Sequence, residues 1–362
     1  MIRRYGLVLT IGMLLSIAGI AAEKKTSNQE TLRQYADKLN FRIGSGIRPK
    51  TWAENAKGQQ ILAREFNSTL TMGMMGVNEP ERGRFDFSRM DTLMQFAKEH
   101  QMKIWGSALI YRADSLPQWM QDQMHSGPPR RSFSESELEQ LMRTHIQSLI
   151  RHGGDSFYAW GVVNEPLSGH NQPWQLILGE EDYIAKAFKF AREATSLPLV
   201  LNETFGHKGI DKERADEFFA LVKRLKSKAV PIDGVGTEMH LEMQQLDSDY
   251  LEQFKEFLRR ARELKVSVYI TEMDVYQGPA GAVANAFEVQ KKVYHDVAAA
   301  CLADSNCKAL TVWDLSDKDT WLSHKQRNAL TDPKPDLFDE DFEKKPAYYG
   351  VLEALKERAA RN

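Results

Sequence analysis

The feature that most restricts the fold of this chain is an eightfold recurrence of a short apolar run followed by a longer stretch of helical periodicity. Runs that end in Gly, Asn or a charged residue begin near Phe41, Asn67, Lys103, Phe157, Leu199, Gly234, Val268 and Ala309, and they read as strands. In the intervening segments, Met90, Leu93, Met94 and Ala97 share one helical face, as do Leu138, Leu141, Met142, His145, Ile146 and Leu149. Phe218, Phe219, Val222 and Leu225 do the same within Asp211–Lys228. Strand and helix in alternation specify a parallel sheet with helical crossovers, and eight such units favour closure into a (β/α)8 TIM barrel over an open doubly wound sheet. No GxGxxG follows the first strand, which weakens a dinucleotide-binding reading. Neither a low-complexity linker nor a short-period repeat interrupts the pattern, so one α/β domain is expected.

The N-terminus has a different character. Arg3 and Arg4 precede an apolar run from Tyr5 to Ile20, then Ala21 and Ala22, then Glu23, Lys24 and Lys25. This is the layout of a signal peptide over residues 1–22, leaving 23–362 as the barrel. The run is short for the competing reading, a retained bilayer anchor. Thr26–Asn40 then becomes mature sequence with a helix leading into the barrel. The expected location is secreted or periplasmic, without membrane attachment after cleavage. Cys301 and Cys307 are the only cysteines; in an exported chain they read as a local disulfide, with free buried thiols as the alternative. Two isolated thiols lack the four ligands of a structural zinc site. A formal net charge of −2 offers no basic stripe to a nucleic acid. A monomer is expected.

In such a barrel, chemistry sits at the C-terminal ends of the strands. The fourth strand reads FYAWGVVNEPLSG and delivers Asn164 and Glu165 there; the seventh reads VSVYITEMDV and delivers Glu272, with Asp274 two residues on and facing the same way. Either glutamate alone reads as a surface or salt-bridged residue. Together at matching strand ends they supply what glycosidic cleavage needs, one carboxyl to protonate the leaving oxygen and one to attack or to activate water. That chemistry calls for no metal and no organic cofactor, and its partner is a polysaccharide or oligosaccharide substrate.

The motifs WGVVNEP, GEEDYIAKAF, PIDGVGTEMHL, YITEMDV, TVWDLSDKDTWL and FEKKPAYYGVLEAL occur in this order. In them the chain resembles glycoside hydrolase family 10, the endo-1,4-beta-xylanases, over nearly all of the mature sequence. The resemblance implies an eight-stranded barrel that cleaves with retention, Glu165 as acid/base and Glu272 as nucleophile. It also implies that Asn164 bonds the sugar 2-hydroxyl and that His240 bonds the nucleophile with Asp274 behind it. Physically, a His oriented by a carboxylate would hold Glu272 ionised and lower its pKa; a buried structural His is the alternative. Trp313 and Trp321 match tryptophans that line sugar subsites, and Trp174, in the loop after Glu165, is a further candidate platform, although a Trp is more often core.

The chain also departs from the family. After EFN it lacks the usual Glu-Asn-x-x-Lys segment. Ser107 and Tyr111 stand where a substrate-contacting His and a Trp are usual, Arg112 where a second His is, and Glu238 where Gln is. By the resemblance, the missing Lys, Ser107 and Glu238 belong to the group that would hold the sugar being cleaved. A third carboxylate beside Glu272 disfavours having both ionised unless a cation intervenes, and Arg112 is a candidate for that cation. The expectation is a retaining β-glycosidase acting on xylan or a related β-linked plant polysaccharide. A hydrolase of a different or decorated β-glycoside is the second reading, and a secreted carbohydrate-binding protein without turnover the third.

Overall fold

The computed structural model describes residues 30–46, 55–125, 133–171, 173–277, 283–322 and 333–361. The expected signal peptide lies outside the described residues. Among the described residues nine strands line up as β1 (Arg42–Gly46), β2 (Ser68–Met72), β3 (Lys103–Ser107), β4 (Phe157–Asn164), β5 (Leu199–Glu203), β6 (Gly234–Thr237), β7 (His240–Glu242), β8 (Ser267–Tyr276) and β9 (Cys307–Asp314). Neighbours pair in parallel, and the β6–β8 and β1–β9 pairings close the ring. β6 pairs with the first half of β8 and β7 with its last residues. They are therefore two halves of one stave, interrupted where Met239 takes a left-handed φ of 57°. The staves number eight, as the sequence pattern requires, and Thr31 to the C-terminus forms one unit around them.

Both faces of the sheet are apolar, which is why the strands read as continuous runs. Trp105, Ala159, Val200, Tyr269 and Ala309, all from strands, form a cluster of their own in the barrel lumen. The other faces of the strands join the helices in the main core, where Trp160, Val162, Leu201, Ile270 and Met273 are buried. Helix ends are set locally: Ser134 caps Glu135–Gly153 by accepting from the Glu137 amide, and Asp211 caps Lys212–Ser227 by accepting from the Arg214 amide. Cys301, near the end of helix Ala286–Ala303, and Cys307, which opens β9, form the expected disulfide, with Cα atoms 5.3 Å apart.

Two β-bulges decide what the lumen contains. Along β4, the pairs Gly161 with Val200 and Val163 with Leu201 advance two residues on β4 for one on β5. Along β8, Ile270 with Leu310 and Met273 with Val312 advance three residues for two on β9. Each strand thus carries one extra residue just before its last inward-facing positions. A bulge shifts the phase of the alternating side chains. On β8, Tyr269 and Thr271 face inward, so strict alternation would aim residue 272 outward; the bulge turns Glu272 and Asp274 into the barrel.

His145, fully buried in helix Glu135–Gly153, ties the mouth of the barrel together through Nε2, which contacts the Gly73 carbonyl at 3.0 Å and the Leu109 carbonyl at 3.1 Å. Burial, outweighing these two carbonyls, lowers its pKa to about 4. The folded protein therefore holds this ring neutral, while the unfolded chain protonates it near the ordinary value of about 6.5. The resulting stability is complete above about pH 6.5 and is lost as pH falls to about 4, a change of about 3 kcal/mol. Urea unfolding of the protein and of His145→Gln at both ends of this window measures it. The drop in stability on acidification is expected to be smaller in the variant by about that amount, and equal drops would contradict the assignment.

Candidate active site

The carboxyl-terminal ends of β4, β5, β6/β7 and β8 bring Asn164, Glu165, Asn202, Glu238, His240, Glu272 and Asp274 together. Glu165 follows the last residue of β4 and adopts a left-handed φ of 45°. For a non-glycine residue that conformation costs on the order of 1–3 kcal/mol, so the surroundings must enforce it. They do: its amide donates to the Asn202 carbonyl at 3.0 Å, and its carbonyl accepts from the Ser168 hydroxyl at 2.8 Å and from Asn171 Nδ2 at 3.0 Å. Asn171 also bonds the Asn164 carbonyl, so the loop is locked on both sides of Glu165.

Glu272, in β8, is 7% exposed. His240 stands beside it with Nε2 at 3.5 Å from Oε2, while Nδ1 lies 2.8 Å from Asp274 Oδ2. The second contact is built into the sheet, because His240 and Asp274 are register partners on β7 and β8. Asp274 Oδ2 also accepts from Trp321 Nε1 at 2.7 Å. Burial alone would pull the His240 pKa down, but Asp274, Glu272 and Glu238 outweigh it and raise it well above the ordinary value. His240 is thus an imidazolium held among carboxylates. The expectation that it lowers the pKa of Glu272 is only half met: it pulls downward, but burial is larger and the net direction is upward.

Glu238 lies at the break between β6 and β7 and is 4% exposed. Its Oε1 accepts from Asn164 Nδ2 at 3.3 Å, and its Oε2 is 3.7 Å from His240 Nε2. The cation facing Glu238 is His240, so the expectation of Arg112 in that place is corrected. The Arg112 guanidinium is bound to Asp114 at 2.7 and 2.9 Å, the pair being joined across two residues of the loop after β3. Glu238, His240 and Glu272 each present a ligand atom within 4.8 Å of the others.

Tyr111 reaches across from the loop after β3 and donates its hydroxyl to Glu165 Oε1 at 2.5 Å. Burial, followed by the neighbouring charge of Glu165, raises the phenol pKa, so it stays a donor. Leaving a part-buried acceptor without its donor costs about 1–3 kcal/mol. Tyr111→Phe is therefore expected to lower kcat/KM by about 10- to 100-fold through loss of Glu165 positioning. Steady-state kinetics on a substrate whose leaving oxygen must be protonated checks this, and a loss below about twofold would contradict it.

The remaining expected residues divide. Trp321 flanks His240 with ring centroids 5.1 Å apart, and Trp313 meets the same ring edge-on at 6.4 Å. Both are partly exposed at the mouth. Ser107 is buried at the end of β3. Trp174 is 1% exposed and packed in the main core. With no face open to a sugar it is a packing residue, and the expectation of a platform there is corrected. Asn202 and Glu203 went unnoticed in the sequence, although LNETFG ends β5 as VVNEP ends β4. Asn202 Nδ2 bonds Asn164 Oδ1 at 2.7 Å and lies 3.4 Å from Glu272 Oε1, linking the ends of β4 and β8. Gly236 makes room for it, since a Cβ there would sit 2.0 Å from Asn202 Oδ1. Glu203 binds Arg214 and the amides of Leu167 and Thr204, fixing the loop that carries Glu165.

The sequence and fold have known counterparts. The chain is 28% identical to endo-1,4-beta-xylanase B of Thermotoga neapolitana over 92% of its own length and 93% of that protein. The crystal structure of native xylanase 10B from Thermotoga maritima superposes with a TM-score of 0.81 at 29% identity, covering 92% of this chain and 100% of that one. Xylanase 10B from Thermotoga petrophila RKU-1, solved in complex with xylobiose, superposes with a TM-score of 0.81 at 28% identity, covering 91% and 98%. The model of Glycosyl hydrolase family 10 matches residues 31–354, and the chain belongs to that family.

Proposed function

We propose that this chain hydrolyses β-1,4-linked xylan or a related plant polysaccharide with retention of anomeric configuration. Glu165 protonates the departing glycosidic oxygen while Glu272 attacks the anomeric carbon to form a glycosyl-enzyme. Glu165, now ionised, then takes a proton from the water that releases the sugar. Asn164 holds the sugar 2-hydroxyl, His240 and Asn202 orient Glu272, and Trp313 and Trp321 wall the sugar site. The observation that carries this reading is the convergence of Glu165 after β4 and Glu272 on β8 around Asn202, whose backbone carbonyl accepts from the Glu165 backbone amide and whose side-chain amide reaches the Glu272 carboxyl. Family membership and the xylanase names of its relatives support the substrate class.

The reading includes export through the segment at 1–22, which the disulfide supports. Among the described residues no helix is long and apolar enough to cross a membrane. Proton NMR of xylan digestion tests the reaction: the β-anomer is expected to appear first, and α-product first would refute retention.

A second reading, a hydrolase of a different or decorated β-glycoside, is favoured by Tyr111 on Glu165 and Glu238 beside Glu272. Comparative turnover of unbranched xylan, mixed-linkage glucan and aryl β-glycosides separates the two, and strong turnover of unbranched xylan removes the second.

A further inference from the structure

Glu238 and Glu272 draw on the same two hydrogen-bond donors. Asn202 Nδ2 has two hydrogens: one serves Asn164 Oδ1 at 2.7 Å, leaving one for both Glu272 Oε1 at 3.4 Å and Glu238 Oε1 at 3.5 Å. His240 spends Nδ1 on Asp274, leaving one N–H, on Nε2, between Glu272 Oε2 at 3.5 Å and Glu238 Oε2 at 3.7 Å. Asn164 Nδ2 adds one bond, to Glu238 Oε1. Three carboxylates around one imidazolium would leave two negative charges unbalanced in a buried pocket. Glu165 after β4, Glu203 on β5 and the Tyr111 phenol border it, and the Arg112 guanidinium is turned to Asp114. The Glu238 and Glu272 carboxyls approach within 4.8 Å, and two like charges that close in a buried pocket repel strongly. One added proton removes that repulsion and supplies the missing donor.

The geometry also says where the proton goes. Glu272 sits nearer the imidazolium and must be ionised to attack. Glu238 Oε1 is an acceptor from both asparagines, so Oε2 is the oxygen left to carry hydrogen. A carboxylic acid with one accepting and one donating end has the hydrogen-bonding shape of a glutamine side chain. Resting on the glycosidase reading above, we propose that Glu238 is a neutral carboxylic acid in the resting enzyme, whose Oε2 hydroxyl positions the sugar attacked by Glu272. Burial, with the charge of Glu272 next, pushes the Glu238 pKa well up, in keeping with this. The donor is present below that raised pKa and lost as pH rises through it.

Two measurements on the full chain test this. The infrared difference spectrum of the protein minus E238Q at about pH 6 is expected to contain a protonated-carboxyl C=O stretch that disappears on titration upward; carboxylate bands alone would overturn the proposal. On 2,4-dinitrophenyl β-xylobioside, whose departure needs no protonation, E238L is expected to lose about 100-fold or more in kcat/KM, and E238Q to recover at least about tenfold of that loss by restoring a donor. Equal losses in E238L and E238Q, with both folded by circular dichroism, would overturn the donor role. Labelling of Glu272 by a 2-fluoro xyloside separates the failures. A labelled protein without the infrared band or the recovery refutes this inference alone, whereas an unlabelled one refutes the glycosidase reading beneath it.

Discussion

Glu272→Ala is expected to abolish turnover of xylan and of activated aryl glycosides alike, by a factor on the order of 10⁵ to 10⁶. Among the described residues, the two neighbouring carboxyls are engaged elsewhere. Asp274 accepts from His240 and Trp321, and Glu238 is held by Asn164. The loss therefore does not depend on the leaving group, since a good leaving group still needs a nucleophile. Mass spectrometry with a 2-fluoro xyloside adds the complementary check: the unmodified protein gains one sugar on Glu272 and the variant gains none. An adduct on another residue, or residual turnover within about 100-fold of the parent, would displace Glu272 from the role.

Glu165→Ala has the opposite signature. Its effect is expected to scale with the basicity of the departing oxygen. Xylan, whose leaving hydroxyl must be protonated, should lose about 10³- to 10⁴-fold in kcat/KM, while a dinitrophenyl glycoside should lose less than about tenfold. The second half of the reaction then lacks its base, so the glycosyl-enzyme accumulates and turnover of the activated substrate slows after a burst. Azide, which attacks without a base, should restore that turnover and give a β-glycosyl azide. Equal losses on both substrates, or no azide effect, would contradict the acid/base assignment.

The two variants differ because the site treats the two carboxyls differently. Glu272 is enclosed beside His240 and Asn202, whereas Glu165 stands half-exposed at the mouth on a strained turn with Tyr111 on its carboxyl. The turn was legible as the passage from an apolar strand into a Pro- and Gly-containing loop. Its strain was not, because a left-handed φ at a glutamate is imposed by Asn171 and Ser168 from farther along the loop.

The local pattern of residues was enough for much of the molecule. Strand periodicity and apolar faces located every stave within two residues of its observed start, because a strand buried on both faces leaves a continuous apolar signature wherever it occurs. Glu165, Glu272 and Asp274 were legible because they stand toward the C-terminal ends of such strands, His240 through the family resemblance of its motif, and the disulfide because its cysteines are neighbours in sequence. The closed barrel alone decided the rest. The bulge in β8 turns Glu272 inward, against the alternation that the strand's own residues suggest, since a bulge exists only relative to the partner strand. Trp174 was assigned to the core and Arg112 to Asp114, while Tyr111 was set on Glu165 and Glu238 beside Glu272. These outcomes depend on which donors and charges converge from separate strands, and sequence spacing carries no record of distances across a ring.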